Sequence, residues 1–199
     1  IPVTSLVALL SVVSLAVSLA VQSVLSNIAG GLVILVTKPF QLGDLVETAD
    51  GLGTVKEISL TFTKLETPDG LWLMTPNSVL SSGKITNYTA LGRRRAEIRV
   101  GASYDAAVSD VRAACLDAAA RVPGVLPDPA PIVYVDSYGE SSISYIVRVW
   151  CRSEDYTDVY YGLTEGLKAA FDEHGVEMPY NHLNIHILDQ TEQKEKQTV

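Results

Sequence analysis

Leu15 and Leu19 lie one helical turn apart in a stretch without charge, and their chemistry is that of a seal. Several copies packed around an axis would stack these side chains into apolar rings. A narrow apolar constriction stops ions by dewetting, because an ion cannot shed its hydration there without compensation. The residues that would allow such packing are beside them. Ser11, Ser14 and Ser18 fall at i, i+3 and i+7, with Ala8, Ala16 and Ala20 nearby. Small residues let membrane helices approach closely, and serine also hydrogen-bonds across the contact. At Gln22 and Ser23 the chemistry changes and a kink is expected, since sharp bends favour Gly and Ser positions. Asn27, Gly30 and Gly31 follow, where this segment is expected to meet the polar part of the chain.

The distribution of charge sets these residues in a membrane context. The chain has 199 residues and is 47% hydrophobic, yet all 15 Lys and Arg and all 23 Asp and Glu lie at or after Lys38. At about 1.5 Å per residue, one straight helix over 1–37 would overrun a hydrocarbon core of about 30 Å. The expectation is therefore a spanning helix over 3–22, a kink near 22–24 and an interfacial helix over 24–36. A secretory signal peptide would need a basic n-region and a shorter apolar run of roughly 7–15 residues, and neither is present. The chain starts at Ile1 rather than Met, and reads as a fragment with membrane helices upstream. Lys38, just past the apolar run, follows the positive-inside tendency and places the polar part in the cytoplasm. The net charge of −8 argues against nucleic acid or an anionic lipid surface as the main partner.

Pro39 ends the helical segment, because it cannot continue the hydrogen-bond ladder and disfavours the α region at the residue before it. Then the period changes. Short alternating or β-branched runs at 45–48, 53–58, 61–66 and 71–75, punctuated by Asp50-Gly51 and Pro68-Asp69-Gly70, predict a small all-β domain over 40–90. Beyond Arg93 the order reads β-α-β-β-α. Strands are predicted at 96–100, 132–135 and 142–151, with helices over 106–122 and 156–174. Pro123-Gly124 stops the first of these helices and Gly175 caps the second. These make an α+β domain over 91–180, a last strand follows near 183–188, and the polar tail 190–199 is expected to be disordered.

Other reactive residues read less sharply. Arg93-Arg94-Arg95 is expected in a solvated inter-domain turn, with lipid headgroups or anions as the other reading. His182 and His186 share a face of the predicted last strand, and in a ring they could hold a metal, but a hydrogen-bonded or solvated pair is the expectation. Cys115 and Cys151 read as two reduced buried thiols. No nucleophile elbow, P-loop or metal-ligand spacing occurs, so neither an enzyme nor a cofactor or metal site is expected.

The run from Ser14 to Gly31 resembles the pore helix of the family of the mechanosensitive channel of small conductance, MscS. It is followed by the family-like Lys38-Pro39-Phe40-Gln41-Leu42-Gly43-Asp44. Gly53-Thr54-Val55, Pro76-Asn77, Ile85-Thr86-Asn87-Tyr88, Tyr104-Asp105, Val147-Arg148-Val149-Trp150 and Pro179-Tyr180 continue the likeness in order, to about residue 188.

The resemblance implies a homoheptamer in the cytoplasmic (inner) membrane, multi-pass in the full-length protein. Its kinked helices, over 1–39, would line a pore sealed by Leu15 and Leu19. It further implies opening by membrane tension and release of ions and small osmolytes through a cytoplasmic cage with side portals, with membrane lipids as partners. An Sm-like β-barrel domain would span 40–90 and an α/β sandwich of ferredoxin-like kind 91–180. The strand at 181–189 would join its copies in a small parallel barrel. The chain departs from the family pattern in two places. Ser11, Ser14, Ser18 and Ser23 stand where glycines are usual, and Asn181 replaces a second proline. An oligomeric, membrane-anchored Sm-like binding module is the alternative, but the acidic polar region lacks the basic and aromatic stripe that phosphate binding needs.

Overall fold

The computed structural model describes residues 3–183 and 185, and the chain divides into two compact units at Arg94/Arg95. In the first unit, Val3–Thr37 forms one helix, α1. The two helices expected over 3–22 and 24–36 are thus a single uninterrupted one, with Gln22 and Ser23 inside it. The physical reason lies in where the interrupting residues are used. The Asn27 side-chain amide donates to the Ser23 carbonyl one turn back (3.0 Å), and Gly30 and Gly31 receive neighbouring backbone at close range instead of breaking the ladder. Among the described residues, α1 is long and apolar enough to cross a membrane over Leu6–Thr37. It ends at Lys38, whose backbone turns to φ 46° ahead of Pro39 while its N–H still reaches the Ile34 carbonyl (2.8 Å).

Five antiparallel strands follow: β1 (Leu45–Thr48), β2 (Gly51–Ile58), β3 (Phe62–Glu66), β4 (Trp72–Pro76) and β5 (Thr86–Asn87). They assemble in the order β4-β3-β2-β1-β5. Register is set by direct pairs such as Leu45 opposite Thr54 and Leu65 opposite Val55, with a shift between Val55 and Glu57. The domain is not all-β as expected, because Asn77–Ser82 forms a short helix, α2, which packs on α1. Ile34 from α1, Phe40, Val46, Val55, Leu65 and Leu80 bury one another in the core.

The second unit is α+β in the order read from the sequence. β6 (Arg93–Ala102), β8 (Ile143–Arg152) and β7 (Ile132–Tyr138) form a sheet in that spatial order, and α3 (Val108–Arg121) and α4 (Tyr156–Glu173) pack together and share its core. Period-2 burial of Ile143, Tyr145, Val147, Val149 and Cys151 marks the inward face of β8, and Val159, Leu163, Leu167, Ala170 and Phe171 mark that of α4. Gly175, at φ 67°, closes α4 in a Schellman turn, with the Val176 N–H on the Phe171 carbonyl (2.9 Å). Arg93-Arg94-Arg95 is not a turn but the start of β6. Arg94 stacks over Tyr88 and Arg95 pairs with Glu97, while Arg93 and Arg95 remain exposed, so the expected turn is a strand but its solvated character holds.

A ferredoxin-like sheet would carry a fourth strand, and three are present among the described residues. The strand expected over 181–189 falls largely outside the described residues, as do His186 and the tail 190–199. His182 donates its backbone N–H to the Ser141 hydroxyl (3.0 Å).

Candidate pore helix and its anchor

One face of α1 gathers the residues that could form a pore. At about 3.6 residues per turn, Ala8, Ser11, Leu15, Leu19, Gln22 and Ser26 succeed one another at spacings of three or four. Leu15 and Leu19 are therefore an apolar band within a stripe of small and polar side chains. Both are 62% exposed in the single chain, but exposure does not set them apart, since Leu6, Leu10, Val13 and Val17 are exposed as well. Spacing does. The Ser11 hydroxyl donates to the Val7 carbonyl (2.9 Å), so it is satisfied within its own helix and presents a small, neutral surface. Ser14, Ala16, Ser18 and Ala20 are exposed beside this face. Below Leu19 a polar depression is lined by Gln22, Ser23, Ser26, Asn27 and Ser78.

The lower end of α1 is anchored to the β domain by side chains far apart in sequence. Asn27 Oδ1 accepts from both the Ser78 N–H (3.0 Å) and the Ser78 hydroxyl (2.7 Å). Asn77 beside it is fully buried and makes three bonds. Its backbone N–H donates to the Thr61 carbonyl (3.0 Å), its Nδ2 to the Ser59 carbonyl (2.8 Å), and its Oδ1 accepts from the Thr63 hydroxyl (2.8 Å). Gly30 and Gly31 make room for this. A methyl group on Gly30 would sit 2.6 Å from the Asn77 carbonyl oxygen, and one on Gly31 would sit 2.5 Å from the Leu60 carbonyl oxygen and 2.6 Å from Asn77 Nδ2. Sequence reasoning assigned Asn77, Ser78 and Thr63 no role. The one available signal was Asn77 directly after Pro76.

A second polar knot joins two other motifs. Asp44 Oδ2 accepts from the Gln41 N–H (2.8 Å) and from Asn87 Nδ2 (2.9 Å), and Oδ1 from the Thr89 hydroxyl (2.8 Å). Burial pushes the Asp44 carboxyl up, but the bonds from Asn87, Gln41 and Thr89 outweigh it and hold the group below its ordinary value. A lowered folded pKa adds stability that is complete above the ordinary carboxylate range and disappears as pH falls through the folded value. Asp44→Asn is therefore expected to destabilise the first unit at pH 7 by about 1 kcal/mol, the carboxylate being only partly buried. The gap from the wild type should narrow at pH 3, where the unfolded carboxyl is largely protonated. Denaturation curves at the two pH values check this, and an equal gap at both would refute it.

Among the described residues no group of three or more His, Cys, Asp or Glu is placed to hold a metal. Cys115 and Cys151 are both buried and in no disulfide, and burial pushes the Cys115 thiol up to about 12, which leaves it a poor nucleophile.

Comparison with known proteins agrees with this architecture. Residues 23–90 match the family described as "Mechanosensitive ion channel, beta-domain" and residues 96–178 the one described as "Mechanosensitive ion channel MscS, C-terminal". The chain is 33% identical to a small-conductance mechanosensitive channel of Edwardsiella ictaluri over 173 residues, 87% of this chain and 60% of that protein. It is 30% identical to one of Helicobacter pylori over 192 residues, 96% of this chain and 70% of the relative. It thus spans less than two thirds of the Edwardsiella protein's length. The crystal structure of Helicobacter pylori MscS in a closed state superposes with a TM-score of 0.88 at 30% identity, over 96% of this chain and 76% of that one. Arabidopsis thaliana MSL1 shares the fold, with a TM-score of 0.75 at 20% identity over 90% and 67% of the two chains. With both segments matched in order along a chain that opens on an uncharged helix packed against Asn77, the chain belongs to the MscS family of mechanosensitive ion channels.

Proposed function

We propose that the full-length protein is a channel of the inner membrane, opened by membrane tension, that releases ions and small osmolytes on hypo-osmotic shock. Seven copies assemble with α1 around the axis, packed through Ala8, Ser11, Ser14, Ala16, Ser18 and Ala20, while Leu15 and Leu19 close the pore as stacked apolar rings. Gln22 and Ser23 mark where α1 bends as the pore changes state. Asn27, Gly30 and Gly31 carry movement of the helix into the Sm-like β domain, and residues 91–180 form the wall of a cytoplasmic cage. Lipid surrounds the outward faces.

The observation that carries this reading is an exposed, charge-free helix whose far end is tied to the β domain by Asn27 on Ser78 and by Gly30 and Gly31 packed against Asn77. A helix that only anchored the protein would need no close-packed glycine contact at its base. Suction applied to patches containing the reconstituted full-length protein is expected to evoke a conductance that grows with tension. Patches that stay silent up to the lytic limit would refute the proposal.

A further inference from the structure

We propose that the assembled pore favours cations, and that the unit beginning at Arg95 sets this preference. The inference rests on the channel reading above. Whatever sign selectivity the pore has must originate outside α1, because residues 1–37 bear no charge and an apolar ring repels both signs alike. The remainder of the first unit is neutral too. Residues 1–94 contain six of the 15 basic and six of the 23 acidic residues, so the whole formal charge of −8 falls on 95–199.

Within that unit the cations are largely consumed. Arg95 and Arg148 close on Glu97, Arg99 on Asp136, Arg121 on Asp117 and Glu173, and Lys168 on Asp172. Carboxylates are left over. Asp105, Asp110, Asp128, Asp158, Glu165 and Glu177 are exposed and make no salt bridge among the described residues. Asp158 and Glu165 stand two turns apart on the exposed side of α4, whose opposite face is buried.

A surface carboxylate is felt only within a Debye length, about 8 Å at physiological ionic strength. One copy would scarcely disturb passing ions. A ring differs, because every copy brings the same surplus to the same radius, and an enclosed path focuses the field of its walls and enriches counter-ions before they reach the apolar band. The ions enriched are cations. Size would still limit what passes, while sign would bias it.

Reversal potentials measured under tension in a KCl gradient test this on the full-length protein in neutral lipid. The expected cation-to-anion permeability ratio lies above one near 0.1 M salt and relaxes towards one near 1 M, where the Debye length falls to about 3 Å. The combined variant Asp110→Asn, Asp158→Asn, Glu165→Gln should lower the ratio while tension-evoked current persists. The salt dependence of the wild type stands as an independent readout should that variant fail to assemble. A ratio at or below one in low salt, with normal tension-evoked current, overturns the cation preference and leaves the channel reading intact. Absence of any tension-evoked current overturns both.

Discussion

Leu19→Ser is expected to open the pore without tension. Replacing the side chain removes its apolar contribution to the seal, about 2 kcal/mol per copy for a leucine-sized group. Three copies' worth already exceeds the roughly 5.5 kcal/mol that takes a two-state equilibrium from 1:99 to 99:1. The polar stripe of Gln22 and Ser26 then rises one turn to position 19 and leaves Leu15 as the remaining apolar ring of the pair. Cells expressing the full-length variant should grow poorly in the absence of osmotic shock, and excised patches should conduct at rest. Val17→Ser is the matched control. Val17 lies two positions from both Leu15 and Leu19, on the opposite side of a helix with about 3.6 residues per turn, so the same loss of apolar surface there should leave the resting pore closed. Should Leu19→Ser stay closed at rest, or Val17→Ser leak equally, the apolar gate does not lie at Leu15 and Leu19.

What the sequence makes legible here is whatever is local and periodic. Burial of alternate residues in β8 and of Val159, Leu163 and Leu167 in α4 follows from spacing alone, and Gly175 marks the end of α4 because only glycine takes φ 67° there at little cost. The gate proposed at Leu15 and Leu19 has a different basis, a pair of leucines among small and polar residues in an uncharged stretch too long for an ordinary core helix.

The failures are equally physical. Gly30-Gly31 has the composition of a break, and only the backbone of Asn77 and Leu60, distant in sequence, turns those glycines into a packing surface inside a continuous helix. α2 spans six residues, too few for a helical period to register, and β5 has two. Arg93–Arg95 reads as a turn by charge, whereas it opens β6, with Arg93 and Arg95 exposed. Asn77 escaped notice as an anchor because each of its side-chain bonds joins it to a residue 14 or 18 positions away.

Gly31→Ala is expected to weaken the junction between α1 and the β domain, although alanine favours a helix interior by about 1 kcal/mol over glycine. The added methyl group would lie 2.5 Å from the Leu60 carbonyl oxygen and 2.6 Å from Asn77 Nδ2, and the first obstacle is backbone that cannot rotate aside. Overpacking of this kind costs about 1–3 kcal/mol, so the net effect is destabilising. Asn77→Ala should cost more by itself, because it leaves the Thr63 hydroxyl and the Ser59 carbonyl without their partner at a buried site, about 1–3 kcal/mol for each group left unsatisfied. The two changes should not add. Once Asn77 is truncated, one of the two obstacles to the Gly31 methyl group is gone, so the double variant should fall short of the sum by about 1 kcal/mol, as neighbours sharing one contact do. Hydrogen exchange over residues 59–82 of the full-length protein reads the junction directly. Faster exchange in each single variant, with a less than additive increase in the double, is the expected pattern. Protection equal to the wild type in Gly31→Ala would mean that the helix base is not held by this contact, and strict additivity would mean that Gly31 and Asn77 act on α1 independently.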